Sequence, residues 1–287
     1  MTKRSIDPIV STDWLEGQLG PQGPAVIDLR STEEYEGGHI PGAVSVPFSP
    51  VSAWADSDDE LLLELPPKDG LLRTIGQCGL TADSRIVVVG GEPGPHEPPY
   101  ALADPLRVAS TLIYAGVTQV AVLSGGYAKW SDEGRATSED VPRVTPVSYS
   151  SSVDAASWVQ TGYVKERIGK AVLVDGRDPD QYFGASVDPF TEERGHIPSA
   201  RSLPLPWVWE PDGTYRPFDI IGEMAGGVIG IDKHQEIICY CGVGGYGSGW
   251  WFLLTQLLGY SNVKIYDGSM EAWVGGKNPL NRYTWTE

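Results

Sequence analysis

A chain of 287 residues is longer than most single domains, so two cores of about 140 residues each are the first expectation. Its 41% hydrophobic and 21% charged composition excludes a disordered chain, and the lack of any long apolar run excludes a membrane-spanning helix. A formal charge of −17 excludes nucleic acid and anionic membrane surfaces as favourable partners, so any anion site must be built locally from backbone N–H groups and a few arginines.

The opening residues Met1 to Pro8 lack the apolar core of a secretory signal. The three cysteines, Cys78, Cys239 and Cys241, are odd in number and too few for a disulfide framework. Together these features predict a cytoplasmic protein with free thiols.

Ala25 to Leu29 is apolar and β-branched up to its end at Asp28-Leu29-Arg30, the pattern of a strand buried on both faces. Next come Gly38-His39-Ile40-Pro41-Gly42-Ala43 and then Val46-Pro47. A second strand, Ile86 to Val89, ends at Gly90 and leads into Gly91 to Pro99, which contains four prolines. A third, Val120 to Leu123, runs into Ser124-Gly125-Gly126-Tyr127 and closes at Trp130. Thr137 to Ser152 has the Ser, Thr and Pro content of a linker.

Every one of these blocks then returns in the same order. Val172 to Asp175 leads into Arg177, Gly195-His196-Ile197-Pro198-Ser199-Ala200 precedes Leu203-Pro204, Ile237 to Tyr240 ends at Cys241, and Val263 to Tyr266 leads to Trp273. Asp28 to Gly90 spans 62 positions and Asp175 to Cys241 spans 66, which predicts a duplicated domain. The predicted division is residues 1–137, a linker at 138–151, and residues 152–287. Each copy is α/β, a parallel sheet flanked by helices on both faces.

The loop Cys241-Gly242-Val243-Gly244-Gly245-Tyr246-Gly247-Ser248 follows a strand and precedes a predicted helix over 249–258, with Gly259 as its C-terminal cap. Its four glycines let successive N–H groups turn toward one centre, and in open α/β sheets ligands gather at the carboxyl ends of strands. A Cys241 thiolate there gains roughly 0.3 to 1 kcal/mol from the helix dipole, up to about 2 when partly buried, which by itself lowers the thiol pKa by about one unit. Alternatively, such a turn serves only close packing, with the cysteine a small buried hydrophobe.

The Asp-x-Arg strand ends, the Gly-His-Ile-Pro-x-Ala blocks, and the strand-end cysteine in its glycine loop make the whole chain resemble two tandem domains of the rhodanese family. The resemblance implies a sulfurtransferase that moves a sulfane sulfur from a donor, thiosulfate foremost, to a thiol or cyanide through a persulfide on Cys241. It implies no cofactor and no metal. Gly242, Val243, Gly244, Gly245, Tyr246 and Gly247 are the expected substrate-binding residues, with Arg194 the nearest candidate cation. Alternatives are a 3-mercaptopyruvate sulfurtransferase, although Val243 stands where such members carry serine, and a module that binds a persulfide or anion without turnover.

Gly90 stands where the second copy has Cys241, so the first copy is expected to be catalytically silent. His39 and His196 recur in both copies and are expected to hold the fold, as are Asp28, Arg30, Asp175 and Arg177. Cys239 and Cys241 lack the spacing and the second cluster of a zinc site. A cysteine phosphatase requires an arginine six positions after the nucleophile, where this chain has Gly247.

Overall fold

The computed structural model describes residues 4–57, 61–94 and 97–285. They form two units.

The first unit contains a parallel sheet of β1 (Ile9–Val10), β2 (Ala25–Asp28), β3 (Val44–Ser45), β4 (Arg85–Val89) and β5 (Gln119–Leu123), in the order β1-β5-β4-β2-β3. The second repeats it with β6 (Trp158–Val159), β7 (Val172–Asp175), β8 (Ala200–Ser202), β9 (Ile237–Tyr240) and β10 (Val263–Tyr266), in the order β6-β10-β9-β7-β8, again all parallel. Helices flank both sheets, as the alternation of apolar runs and helical patterns predicts. The central strands are buried along nearly their whole length, which is why they read as unbroken apolar runs. The two-residue strands β1, β3 and β6 are too short to leave a pattern in sequence.

In the second sheet the chain leaves β7 for β8 on one side and returns as β9 on the other. The switch point therefore lies between the carboxyl ends of β7 and β9, where Asp175 pairs in register with Tyr240. Cys241 is the next residue.

Each copy fixes this end of its sheet with a buried ion pair. Arg30 Nη2 lies 2.7 Å from Asp28 Oδ2 and donates to Gly38 O at 2.9 Å; Arg177 Nη2 lies 2.6 Å from Asp175 Oδ2 and donates to Gly195 O at 2.8 Å. The histidines sit behind these pairs. His39 stacks on Tyr35 and His196 on Tyr182, each with centroids 3.8 Å apart, and each Nδ1 is bonded to the tyrosine carbonyl. Both histidines are spent on packing.

Each unit draws on more than one stretch of the sequence. The first comprises Met1–Asp56, Leu65–Asp154 and Trp209–Tyr215; the second comprises Ser57–Glu64, Ala155–Val208 and Arg216–Glu287. Residues 138–154 run as a strap along the first unit, because their polar backbone finds partners there: Ser138 exchanges bonds with His39, Val147 N donates to Gly76 O at 2.9 Å, and Asp154 N donates to Tyr114 O at 2.8 Å.

The strand end of the first copy is closed by packing. A Cβ on Gly90 would stand 2.5 Å from Cγ of Pro105, within the helix Tyr100–Tyr114 that begins eleven positions after the end of β4. Gly213 and Tyr215 of the turn Trp209–Tyr215 help line the space beside Gly90, leaving a void of about 10 Å³. The loop's Pro95 lies outside the described residues. Gly90→Cys is therefore expected to lower the melting temperature, by an overpacking cost of about 1–3 kcal/mol. Combined with Cys241→Ser, it should produce no sulfur transfer; transfer by that double variant would show that the first copy can hold a nucleophile.

Candidate active site

Cys241 follows β9 directly, with 4% of its surface exposed. Its N–H donates to Ser269 Oγ at 3.1 Å, and its carbonyl accepts from Met270 N at 3.0 Å, which locks the residue between β9 and the helix Ser269–Gly275. The backbone N–H groups of Gly247, Val243 and Tyr246 favour the charged form of its sulfur. These are three of the residues expected to bind substrate, and they act on the Cys241 sulfur through their backbone.

The helix begins at Gly245, four residues earlier than predicted, and runs to Phe252 before a wider turn over Leu253–Leu257. Glycines at 245 and 247 argue for a loop on propensity, because glycine costs about 1 kcal/mol in a helix. Close packing overrides that preference. A Cβ on Gly247 would lie 3.0 Å from Tyr240 Cα and 3.2 Å from its N and C, so only glycine lets the first helical turn sit on β9. Gly244, at φ +88, makes the reversal into the helix. Ser248 Oγ donates back to Gly244 O at 2.9 Å and Gly245 O at 2.8 Å, tying the turn.

The expectation of a lowered Cys241 pKa is overturned. Burial dominates and pushes the thiol up; the bonds from Gly247, Val243 and Tyr246 pull it down, and the negative charge of Asp188 adds to the rise. Cys239 is also pushed up by burial, as is Cys78, to about 11. Cys241 is set apart by the donors aimed at its sulfur.

Arg194 is exposed, and its Nη1 donates to Ala185 O at 2.7 Å; the structure places it on that carbonyl and not on the loop. Three features were not foreseen from sequence. Asp188 packs against Gly242, with its carboxylate oxygens 2.9 and 3.0 Å from where a Cβ would stand. Leu61 to Glu64, which belong to the second unit, reach the same loop: Leu63 approaches Gly245, and Leu62 N donates to Glu271 Oε2 at 2.7 Å. Glu271 N in turn donates to Gly242 O at 3.0 Å. A cavity of about 760 Å³ is lined in part by Phe190 and Glu271, which also approach Gly242, and by no residue of the loop Cys241 to Ser248. Among the described residues no group of His, Cys, Asp and Glu is placed to hold a metal, and no helix is long and apolar enough to cross a membrane.

Fold and site together define a duplicated α/β protein with a thiol cradle in its second copy. The rhodanese-like domain matches residues 11–133 and again 160–275. A Saccharopolyspora erythraea protein named "Putative thiosulfate sulfurtransferase" is 29% identical over 91% of each chain, and the Thermus thermophilus sulfur carrier protein TtuD is 30% identical over 92% of this chain and 93% of its own. Among solved structures, a variant of EanB in complex with hercynine superposes with a TM-score of 0.79 at 25% identity, covering 96% of this chain and 70% of EanB. The chain belongs to the rhodanese family. It is a sulfurtransferase.

Proposed function

We propose that Cys241 carries the transferred sulfur as a persulfide. The observation that carries this reading is the placement of Cys241 directly after β9 at the switch point, opening the glycine turn that runs into the helix at Gly245, with the N–H groups of Gly247, Val243 and Tyr246 favouring its thiolate. The thiolate attacks the sulfane sulfur of thiosulfate, the donor's S–S bond breaks, and sulfite departs with the bonding pair. A thiol or cyanide then takes the outer sulfur and returns Cys241 as thiolate. The N–H groups of Val243, Tyr246 and Gly247 face negative charge throughout, on thiolate and then persulfide, so they need no rearrangement between the half-reactions. Arg194 would meet an arriving anion only by leaving Ala185. Thiosulfate is accordingly a usable but weak donor, because the loop from Cys241 to Ser248 contains no cation.

The attacking species is the thiolate, so sulfur loading rises with pH as Cys241 loses its proton. Burial raises that pKa, and the rise in rate is therefore expected to continue above pH ~8.5, the ordinary range for a free thiol. Single-turnover loading from thiosulfate, quenched and quantified by cyanolysis across pH, tests this. A rate that plateaus well below that range would mean that the N–H donors outweigh burial; no loading at any pH would remove the proposal.

A further inference from the structure

Asp188 is a charged group at the site that the transfer described above leaves without a role. It is 2% exposed and lies against Gly242, where even one methyl group would collide with it. Arg177 Nη1 stands 3.4 Å from its Oδ2, Phe190 N donates to its Oδ1 at 3.0 Å, and Asp175 and Asp178 repel it. Arg177 does not neutralise it alone, since the same guanidinium holds Asp175 through Nε at 2.9 Å and Nη2 at 2.6 Å. The buried trio Asp175, Arg177 and Asp188 therefore presents one net negative charge to the nucleophile's loop.

The first copy shows that the second carboxylate is not needed to hold the arginine. Arg30 makes the same contacts to Asp28 and to Gly38 O, yet its guanidinium lies under the ring of Tyr127, 3.4 Å from the centroid. The carboxylate appears in the copy that has the nucleophile.

We propose that Asp188 is a specificity-determining residue that disfavours dianionic sulfur donors at Cys241 and admits monoanionic ones. The inference rests on Cys241 as the sulfur-accepting residue. A donor's sulfane sulfur must reach a thiolate that Asp188 already repels, in a loop without a cation, so each additional negative charge on the donor is penalised over a short, partly desolvated distance. Backbone N–H dipoles offset the first charge better than the second.

Thiosulfate and methanethiosulfonate separate this effect from others. Both deliver one sulfane sulfur to the thiolate, releasing sulfite from a dianion or methanesulfinate from a monoanion. Asp188→Asn keeps the shape and an oxygen acceptor for Phe190 N–H. It is expected to raise the ratio of kcat/KM for thiosulfate to that for methanethiosulfonate by about tenfold, equivalent to ~1.4 kcal/mol. Asp188→Glu, which retains the charge, should leave the ratio near its wild-type value. A change in thiol ionisation alters both donors alike and cancels in the ratio, as does a loosened loop. Should the Asn variant fail to fold, Asp188→Ser carries the same test. An unchanged ratio in the neutral variant, or an equal rise in Asp188→Glu, overturns the inference. Failure of the wild type to take sulfur from either donor would instead count against Cys241 as the acceptor.

Discussion

Cys241→Ser is expected to reduce steady-state sulfur transfer at least about a thousandfold, to the background of the uncatalysed exchange. The serine hydroxyl fits the cradle of Val243, Tyr246 and Gly247 N–H groups and keeps the bond from the backbone N–H to Ser269, so the fold is preserved. What is lost is a sulfur able to bond another sulfur reversibly. Neither remaining thiol can substitute. Cys239 is fully buried within β9, and burial keeps Cys78 protonated, with a pKa of about 11. Cys78→Ser should accordingly retain wild-type turnover. Activity in Cys241→Ser, read as thiocyanate formed from thiosulfate and cyanide, would place the chemistry elsewhere.

Arg177→Met is expected to be the most destabilising of the changes considered, at about 3–5 kcal/mol in urea unfolding. The wild-type side chain is 2% exposed and joins Asp175, Asp188 and the Gly195 carbonyl. Removing it strands two buried carboxylates at the carboxyl end of the sheet. A loss of that size is a large fraction of the 5–15 kcal/mol typical of a folded domain. The pH dependence has a definite sign. Without the guanidinium, the Asp188 carboxyl has a folded-state pKa still further above its unfolded one, so the variant's deficit grows as pH rises through the carboxyl range and narrows as pH falls. Burial already raises Asp188 in the wild type. An effect below 1 kcal/mol, or one independent of pH, would mean that water reaches these carboxylates.

The duplication was legible because buried parallel strands write unbroken apolar runs and because each strand end repeats its Asp-x-Arg and Gly-His-Ile-Pro blocks. Cys241 and its glycines were legible for a related reason: a backbone cradle needs residues without Cβ, and glycine at 242, 244, 245 and 247 is conspicuous. Asp188 was not. It lies in Val187 to Glu193, a stretch whose charges and Pro189 read as solvated loop, and nothing in sequence spacing links it to Gly242. The contribution of Leu61 to Glu64 was hidden likewise, since an apolar Leu-Leu-Leu in the first half carries no sign that it packs with the second unit. The direction of the Cys241 pKa was misread because the helix dipole can be reasoned from sequence, whereas the burial of Cys241 depends on tertiary packing.

The central claim is that one sulfur atom rests on one named thiol, and mass spectrometry of the loaded protein tests it most directly. After incubation with thiosulfate and removal of excess donor, alkylation and peptide mapping should show the mass of one added sulfur on the peptide containing Cys241, and treatment with cyanide should remove it. Added sulfur on Cys78 or Cys239, or none on any peptide while turnover proceeds, would contradict the account.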